Sequence, residues 1–165
     1  EKNIADVLDM TIDQAITIFN THGEHKIAEK LMPLAAVGMG YICLGQSSST
    51  LSGGEAQRIK LAYFLSKGNH KDHCLFIFDE PTTGLHFDDI KKLLYAFNQL
   101  IENGHSVLVI EHHLDLVKCA DYIIDLGPDG GEQGGEVVCF GTPEDISKHK
   151  QSYTAQFLRE KLTTS

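Results

Sequence analysis

The stretch from Leu51 to Glu55 contains a serine and two glycines and leads directly into a run of helix-forming residues. Such a helix start leaves backbone N–H groups without intrahelical partners, and the positive end of the helix dipole lies beside them. Both features favour binding of an anion such as a phosphate. A serine before two glycines is also typical of an ordinary N-cap and turn, so the stretch alone is compatible with either role.

Two acidic residues, Asp79 and Glu80, follow an apolar run over residues 75–78. The run predicts a strand of a parallel sheet that is buried on both faces. Ligands of open α/β sheets bind at the carboxyl ends of the strands, where these carboxylates would lie. In nucleotide hydrolases of this layout one carboxylate helps to hold Mg²⁺ and a second polarises the attacking water. A simple polar turn after the strand is the alternative.

His112 occupies the equivalent place after the next apolar run, residues 106–110. An imidazole there can donate a hydrogen bond to a terminal phosphate or to the attacking water. A loop histidine with no chemical role is the alternative. The glycine helix start, the acidic pair and the histidine occur in this order, and their joint occurrence favours the functional interpretation.

Hydrophobic periodicity predicts the elements that position these residues. Helices are predicted over about residues 12–20, 27–37, 53–66, 87–103, 114–119 and 153–161, with a small helix starting at Pro143. Strands are predicted over residues 75–78, 106–110, 122–126 and 136–140. Strands that alternate with helices are typical of right-handed crossover connections, so a parallel α/β sheet is expected.

Length and composition are those of one ordinary globular domain. The chain has 165 residues, 42% hydrophobic and 22% charged, and no apolar run reaches the roughly 18 residues of a membrane span. Because it begins without Met or a secretory signal, we expect a processed chain or an excised fragment. The net charge of −9 argues against a broad nucleic-acid-binding surface on this piece.

The cysteines and histidines lack the spacing of a metal site. No Cys-x-x-Cys pair and no His-Glu-x-x-His motif occurs, so the four cysteines are expected to be reduced thiols. The closely spaced histidines lie in polar connecting segments, where a solvated role is expected; they are His22, His25, His70 and His73.

Taken together, the motifs resemble those of the ABC-type ATPases. Leu51 to Glu55 is similar to their signature sequence, Leu75 to Pro81 to the Walker B segment, Thr83 to His86 to the D-loop, and His112 to the switch histidine. Within that superfamily the whole chain resembles the UvrA family. The segments that carry this second resemblance are residues 44–46, 50–62, 110–115, 121–131 and 141–144.

The resemblance implies a cytoplasmic ATPase that senses damage in bacterial nucleotide excision repair, with ATP and Mg²⁺ as cofactors. It implies that Asp79 binds Mg²⁺, that Glu80 is the general base and that His112 is also catalytic. The implied signature contacts to ATP are Ser52, Gly53, Gly54 and Glu55, and the D-loop residues are Gly84, Leu85 and His86. The implied partners are the other ATPase half of the same polypeptide, a second UvrA copy, UvrB and damaged double-stranded DNA, the last mainly through missing regions, with no membrane.

A phosphate-binding P-loop is missing from the chain. It needs Gly-x-x-x-x-Gly-Lys, and no glycine of this sequence is followed by lysine. The family also carries a zinc module upstream, so zinc is expected only there. We therefore interpret the chain as a C-terminal piece of an ABC-type ATPase domain. Residues 1–50 would form a helical part of the signature subdomain, and residues 51–165 would contain the signature helix, the Walker B segment, the D-loop, the switch histidine and the C-terminal strands and helices. On the family's head-to-tail arrangement, such a piece contributes to two ATP sites and completes neither, so it is expected to be inactive alone.

Three alternatives stay open at this stage. The ATPase subunit of an ABC transporter shares the signature, the Walker B segment and the switch histidine. A non-catalytic interaction module is a second alternative. A specialised UvrA relative is the third.

Overall fold

The computed structural model describes residues 2–67, 72–127 and 134–163. The chain divides into two compact units, Glu1–Ile110 and Glu111–Ser165. Within the described residues, no helix combines the length and the apolar character needed to cross a membrane.

The first unit opens with a helical part. Its elements are α1 (Ile4–Leu8), α2 (Ile12–Thr21), α3 (His25–Ala36), a 3₁₀ turn (Ser48–Thr50) and α4 (Gly53–Ser66). Capping boxes begin α1, α2 and α4, which explains why the start of α2 is readable from Thr11 and Gln14. The predicted α2, α3 and α4 are confirmed, and Pro33 lies inside α3. Helix α1 is not predicted, since five residues are too few to show a period.

Two parallel strands form the sheet of the first unit. Strand β1 (Leu75–Asp79) pairs with β2 (Ser106–Ile110), and α5 (Phe87–Glu102) connects them. The buried face of α5 consists of Ile90, Leu93, Ala96, Phe97 and Leu100. The ring of Phe97 lies 4.7 Å from that of Phe78 between centroids. The predicted parallel crossover is therefore confirmed for these two strands.

The prediction that β1 is buried on both faces is wrong for this chain. Phe78 is only 5% exposed, whereas Leu75 and Ile77 are 59% and 61% exposed. On β2, Leu108 and Ile110 are exposed as well. Successive side chains of a strand point to opposite faces, so one face of the sheet packs on helices and the other is open among the described residues.

The second unit contains a separate two-stranded sheet. Its elements are α6 (Leu114–Val117), β3 (Ile123–Gly127), β4 (Glu136–Gly141), α7 (Pro143–Ser147) and α8 (Tyr153–Thr163). Strands β3 and β4 are antiparallel, so the prediction that the third apolar run joins the parallel sheet is wrong. The connection between them is shorter than the dozen or so residues that a parallel crossover requires. Most of the predicted glycine-rich loop, residues 128–133, lies outside the described residues.

The core of the second unit lies between α7, α8 and the sheet. Ile146, Ala155 and Leu158 are buried there. The carboxylate of Asp125 on β3 accepts hydrogen bonds of 2.6 Å from the Ser152 hydroxyl and 2.7 Å from the Thr154 hydroxyl, which anchors the start of α8 to the sheet.

Candidate functional site

The start of α4 is fixed by a reciprocal cap. The Ser52 hydroxyl accepts a hydrogen bond of 3.2 Å from the amide of Glu55, and the Glu55 carboxylate accepts one of 2.7 Å from the amide of Ser52. The Tyr41 hydroxyl donates a 2.7 Å hydrogen bond to the other Glu55 oxygen. The N-cap alternative considered from the sequence is therefore correct as a description of Ser52. It is compatible with anion binding, because the first-turn amides of Gly53 and Gly54 have no intrahelical acceptor.

These hydrogen bonds shift the titration of both side chains. The Tyr41 hydroxyl, and then the Ser52 amide, lower the pKa of Glu55. The pKa of Tyr41 is raised, first by burial and then by its hydrogen bond to the Glu55 carboxylate. Glu55 is thus held as a carboxylate whose two oxygens both have structural partners.

The two glycines of the signature stretch have different surroundings. A β-carbon on Gly54 would lie 3.0 Å from the carbonyl oxygen of Glu80 and 3.6 Å from the Cα atom of Pro81. A β-carbon on Gly53 would meet nothing within 4 Å. Gly54 therefore allows α4 to approach the backbone that follows β1, while Gly53 faces open space.

Gln57 connects α4 to the last residue of β1. Its side-chain amide donates a 3.1 Å hydrogen bond to the carbonyl of Asp79, and its side-chain oxygen accepts one of 3.0 Å from the Asp79 amide. The main chain of Asp79 is thus held on both sides, while its carboxylate is exposed.

Arg58 is completely buried and binds the chain just beyond β1. Its guanidinium donates to the carbonyls of Pro81 and, at 3.2 Å, Thr83. It also donates to the Tyr41 hydroxyl at 3.2 Å and to the sulfur of Met39 at 3.3 Å. One side chain therefore joins the signature helix, the helical part of the unit and the D-loop segment.

Glu80 has an unusual backbone conformation for a residue other than glycine. Its φ angle is 46°, its amide donates a 2.9 Å hydrogen bond to the carbonyl of Ile110, and its side chain is exposed. Backbone strain of this kind is concentrated at functional sites, where it aims a side chain. The neighbouring D-loop turns through Gly84, at a φ of 77°, and ends at His86, the N-cap of α5.

His112 lies in the second unit, and its side chain is 81% exposed. The neighbouring Glu111 carboxylate is only 2% exposed and accepts hydrogen bonds of 2.8 Å and 2.9 Å from the amides of His112 and His113. Glu111 therefore orders the backbone that carries the histidine.

The first unit thus brings the signature residues, Asp79, Glu80 and the D-loop into one region. Sequence reasoning missed Tyr41, Gln57 and Arg58, which hold this region together. It also missed Glu111, which orders the backbone of His112 in the second unit. Charged and polar residues on a surface-type helix are normally read as solvated, so no local signal marks Gln57 or Arg58 as a connector to the chain beyond β1. Among the described residues, no cluster of three or more histidine, cysteine or acidic side chains forms a metal site.

No family model matches the chain. UvrABC system protein A of Aquifex aeolicus is 56% identical over 161 residues, which cover 98% of this chain and 17% of the relative. The protein of the same name from Clostridium acetobutylicum is 54% identical over 162 residues, again 98% of this chain and 17% of the relative. The chain belongs to the UvrA family. It spans about a sixth of the length of these UvrA relatives, since 17% of each is covered.

Solved structures agree with the UvrA assignment. The crystal structure of UvrA2 from Deinococcus radiodurans matches with a TM-score of 0.77 and 42% identity, over 96% of this chain and 19% of that one. A bacterial Atm1-family ABC exporter with ATP bound matches with a TM-score of 0.54 and 20% identity, over 94% of this chain and 26% of that one. The second likeness concerns the fold alone. The predicted α/β fold of the ABC type, with its parallel strands, is confirmed.

Proposed function

We propose that this chain is the C-terminal part of the second ATPase half of a UvrA-type protein, which recognises damaged DNA in nucleotide excision repair. The observation that carries the proposal is the contact of α4 with the end of β1. There Gly54 lets the signature amides approach the backbone of Glu80, in a chain 54–56% identical to UvrABC system protein A. The far lower identity to the exporter, 20%, favours this proposal over a transporter subunit.

Glu80 acts as the general base. Its carboxylate is exposed at the carboxyl end of β1, and its backbone is held by the hydrogen bond to Ile110. A carboxylate so placed takes the proton of the water that attacks the terminal phosphate of ATP. His112 stabilises a terminal phosphate by donating a hydrogen bond.

Asp79 has the features of a Mg²⁺ ligand. Its carboxylate is exposed, and its main chain is held in place by Gln57. Mg²⁺ in phosphate sites is bound by one or two carboxylates together with phosphate oxygens, so a single aspartate is sufficient from the protein. When bound, the ion neutralises charge on the phosphates.

The signature residues serve a different ATP, held by the other ATPase half. The Ser52 oxygen already accepts a hydrogen bond from the amide of Glu55, and its own O–H can still donate to a phosphate oxygen. The amides of Gly53 and Gly54 add two further donors at the positive end of the α4 dipole. The D-loop residues Gly84, Leu85 and His86 lie at the same interface between the halves.

The longer protein supplies what this chain does not. The lysine and amides of a P-loop, the zinc module and most of the surface for damaged DNA lie outside it, in keeping with the net charge of −9. A second copy and UvrB are the protein partners, and no membrane is involved. The isolated chain therefore does not hydrolyse ATP.

The test is ATP hydrolysis by the longer protein carrying Glu80→Gln. We expect turnover at this site to fall about 10²- to 10⁴-fold, the usual contribution of a general base, with ATP binding retained. Glu29→Gln, an exposed change on α3, is the matched control. Unchanged turnover by the Glu80 variant would remove this residue from the reaction.

The purified 165-residue chain provides a second test. We expect no Mg²⁺-dependent ATP turnover from it, and turnover once the P-loop segment of the same half and the other ATPase half are present on the same polypeptide. Robust hydrolysis by the chain alone would contradict the composite site. No hydrolysis by either form would instead favour an interaction module.

A further inference from the structure

Two neighbouring side chains of α4 hold the chain on both sides of Glu80. Gln57 pairs with both backbone groups of Asp79, the residue before Glu80. Arg58 donates to the carbonyls of Pro81 and Thr83, which follow it. The backbone that aims the Glu80 carboxylate is therefore clamped to the helix whose first turn carries the signature.

The partners of the clamp are main-chain atoms. Four of its hydrogen bonds go to the backbone of residues 79–83, so a shift of α4 moves the backbone itself and not only a side chain. Arg58, one of the two clamp residues, is completely buried from solvent. A buried guanidinium whose hydrogen bonds are broken leaves a charged group unsatisfied, so Arg58 favours movement of α4 and the D-loop as one body.

We propose that Gln57 and Arg58 are positioning residues that couple the two ATP sites to which this chain contributes. The inference rests on the proposed function, in which Ser52 to Gly54 contact one ATP and Glu80 acts on the other. Closure of the signature on the first ATP moves the start of α4, and the clamp transmits that movement to the carboxylate of Glu80. Turnover at the Glu80 site then depends on occupancy of the other site.

The first arm of the test measures the clamp in this chain. Gln57→Met removes the donor and the acceptor while keeping a side chain of similar length. We expect amide hydrogen exchange at Asp79 to speed up at least about tenfold, because its amide loses its acceptor. Lys60→Met, an exposed change on the same helix, is the matched control and leaves that exchange unchanged. Unaltered exchange at Asp79 in the Gln57 variant would overturn the clamp.

The second arm measures coupling in the longer protein by a double-mutant cycle. One change replaces the P-loop lysine of the other half, so that the site facing the signature stays empty. In the wild-type background we expect this change to lower kcat at the Glu80 site about fivefold or more, the usual size of allosteric coupling. In the Gln57→Met background the same change has little further effect.

A merely structural role gives a different pattern. If Gln57→Met acted only by lowering stability, the P-loop change would lower kcat by the same factor in both backgrounds. Such additivity would overturn the proposal. Arg58→Lys keeps the charge but not the planar fork of donors, so we expect a loss of coupling smaller than that from Arg58→Met. Equal coupling in the wild type and Arg58→Met would also overturn it.

The proposal and the proposed function fail in distinguishable ways. If Glu80→Gln leaves turnover unchanged, the assignment of the site is wrong. If Glu80→Gln abolishes turnover while the Gln57 cycle is additive, the site is correct and the coupling is wrong.

Discussion

The contact between the signature and the end of β1 predicts opposite effects for two adjacent glycines. Gly53 and Gly54 are the first two residues of α4, and neither has a positive φ angle. Alanine is favoured over glycine in helix interiors by about 0.5–1 kcal/mol, so that backbone gain is similar at both positions and smaller at a first turn. The difference between the two alanine variants therefore reports the surroundings of the added methyl group.

The surroundings of the two glycines differ in how close the backbone after β1 lies. At Gly54 the methyl carbon would lie 3.0 Å from the Glu80 carbonyl oxygen, so that the backbone after β1 has to move by a few tenths of an ångström. Forcing a methyl group into a filled space costs about 1–3 kcal/mol. At Gly53 the methyl group meets nothing within 4 Å. We expect Gly54→Ala to be less stable than Gly53→Ala by about 1–3 kcal/mol.

Urea and thermal unfolding of the chain, followed by circular dichroism at about 222 nm, measure this difference. For a chain of this size each kcal/mol corresponds to about 2–4 °C in Tm. Gly53→Ala is expected to be as stable as the wild type or slightly more stable. Gly54→Ala is expected to unfold at a lower temperature and a lower urea concentration, with an unchanged slope of the unfolding free energy against urea concentration. Equal stability of the two variants would show that α4 does not pack on the Glu80 backbone, and would refute the site geometry.

Three further predictions concern side-chain contacts that lie within one or the other unit. Lys161, and then Lys118, lower the pKa of Asp115 from its usual 3.8. The stabilising effect of the Asp115 carboxylate is therefore present above that value and is lost as the pH falls through the lowered folded pKa. Asp115→Asn should be less stable than the wild type at neutral pH, by a margin that shrinks in unfolding curves measured in acid. Asp125→Ala should lower the free energy of unfolding by about 1–3 kcal/mol, because two hydroxyl groups at the start of α8 lose their acceptor. Tyr41→Phe should raise the pKa of Glu55 toward its usual 4.5 in an NMR titration, since it removes the main cause of the lowering.

Controls for these predictions come from the same chain. Asp121→Ala removes an exposed carboxylate in the same unit as Asp125 and should leave stability within about 0.5 kcal/mol of the wild type. A stability difference for Asp115→Asn that stays constant down to the lowest pH would contradict the ion pair with Lys161. An unchanged pKa of Glu55 in Tyr41→Phe would show that the Ser52 cap alone accounts for its shift.

The elements that sequence reasoning found are those governed by neighbouring residues. The capping residues Thr11 and Ser52 mark helix starts within a few positions, and the apolar spacing of α5 is visible over sixteen residues. The parallel pair β1 and β2 was predictable because a long helix separates the two apolar runs. The partner of β3 was not, because an apolar run of five residues carries no record of the strand it will pair with.

The sequence by itself determined the chemical groups of the candidate site and their order along the chain, since motif spacing and local capping depend on residues a few positions apart. Only the tertiary structure decided that Arg58 is buried, that Gln57 holds the backbone of Asp79, and that Gly54 rather than Gly53 lies against Glu80. These contacts join residues more than twenty positions apart, and their partners are mainly backbone atoms, which every residue possesses. The identity of the partner residues therefore does not predict these contacts, which form because α4 packs on the end of β1.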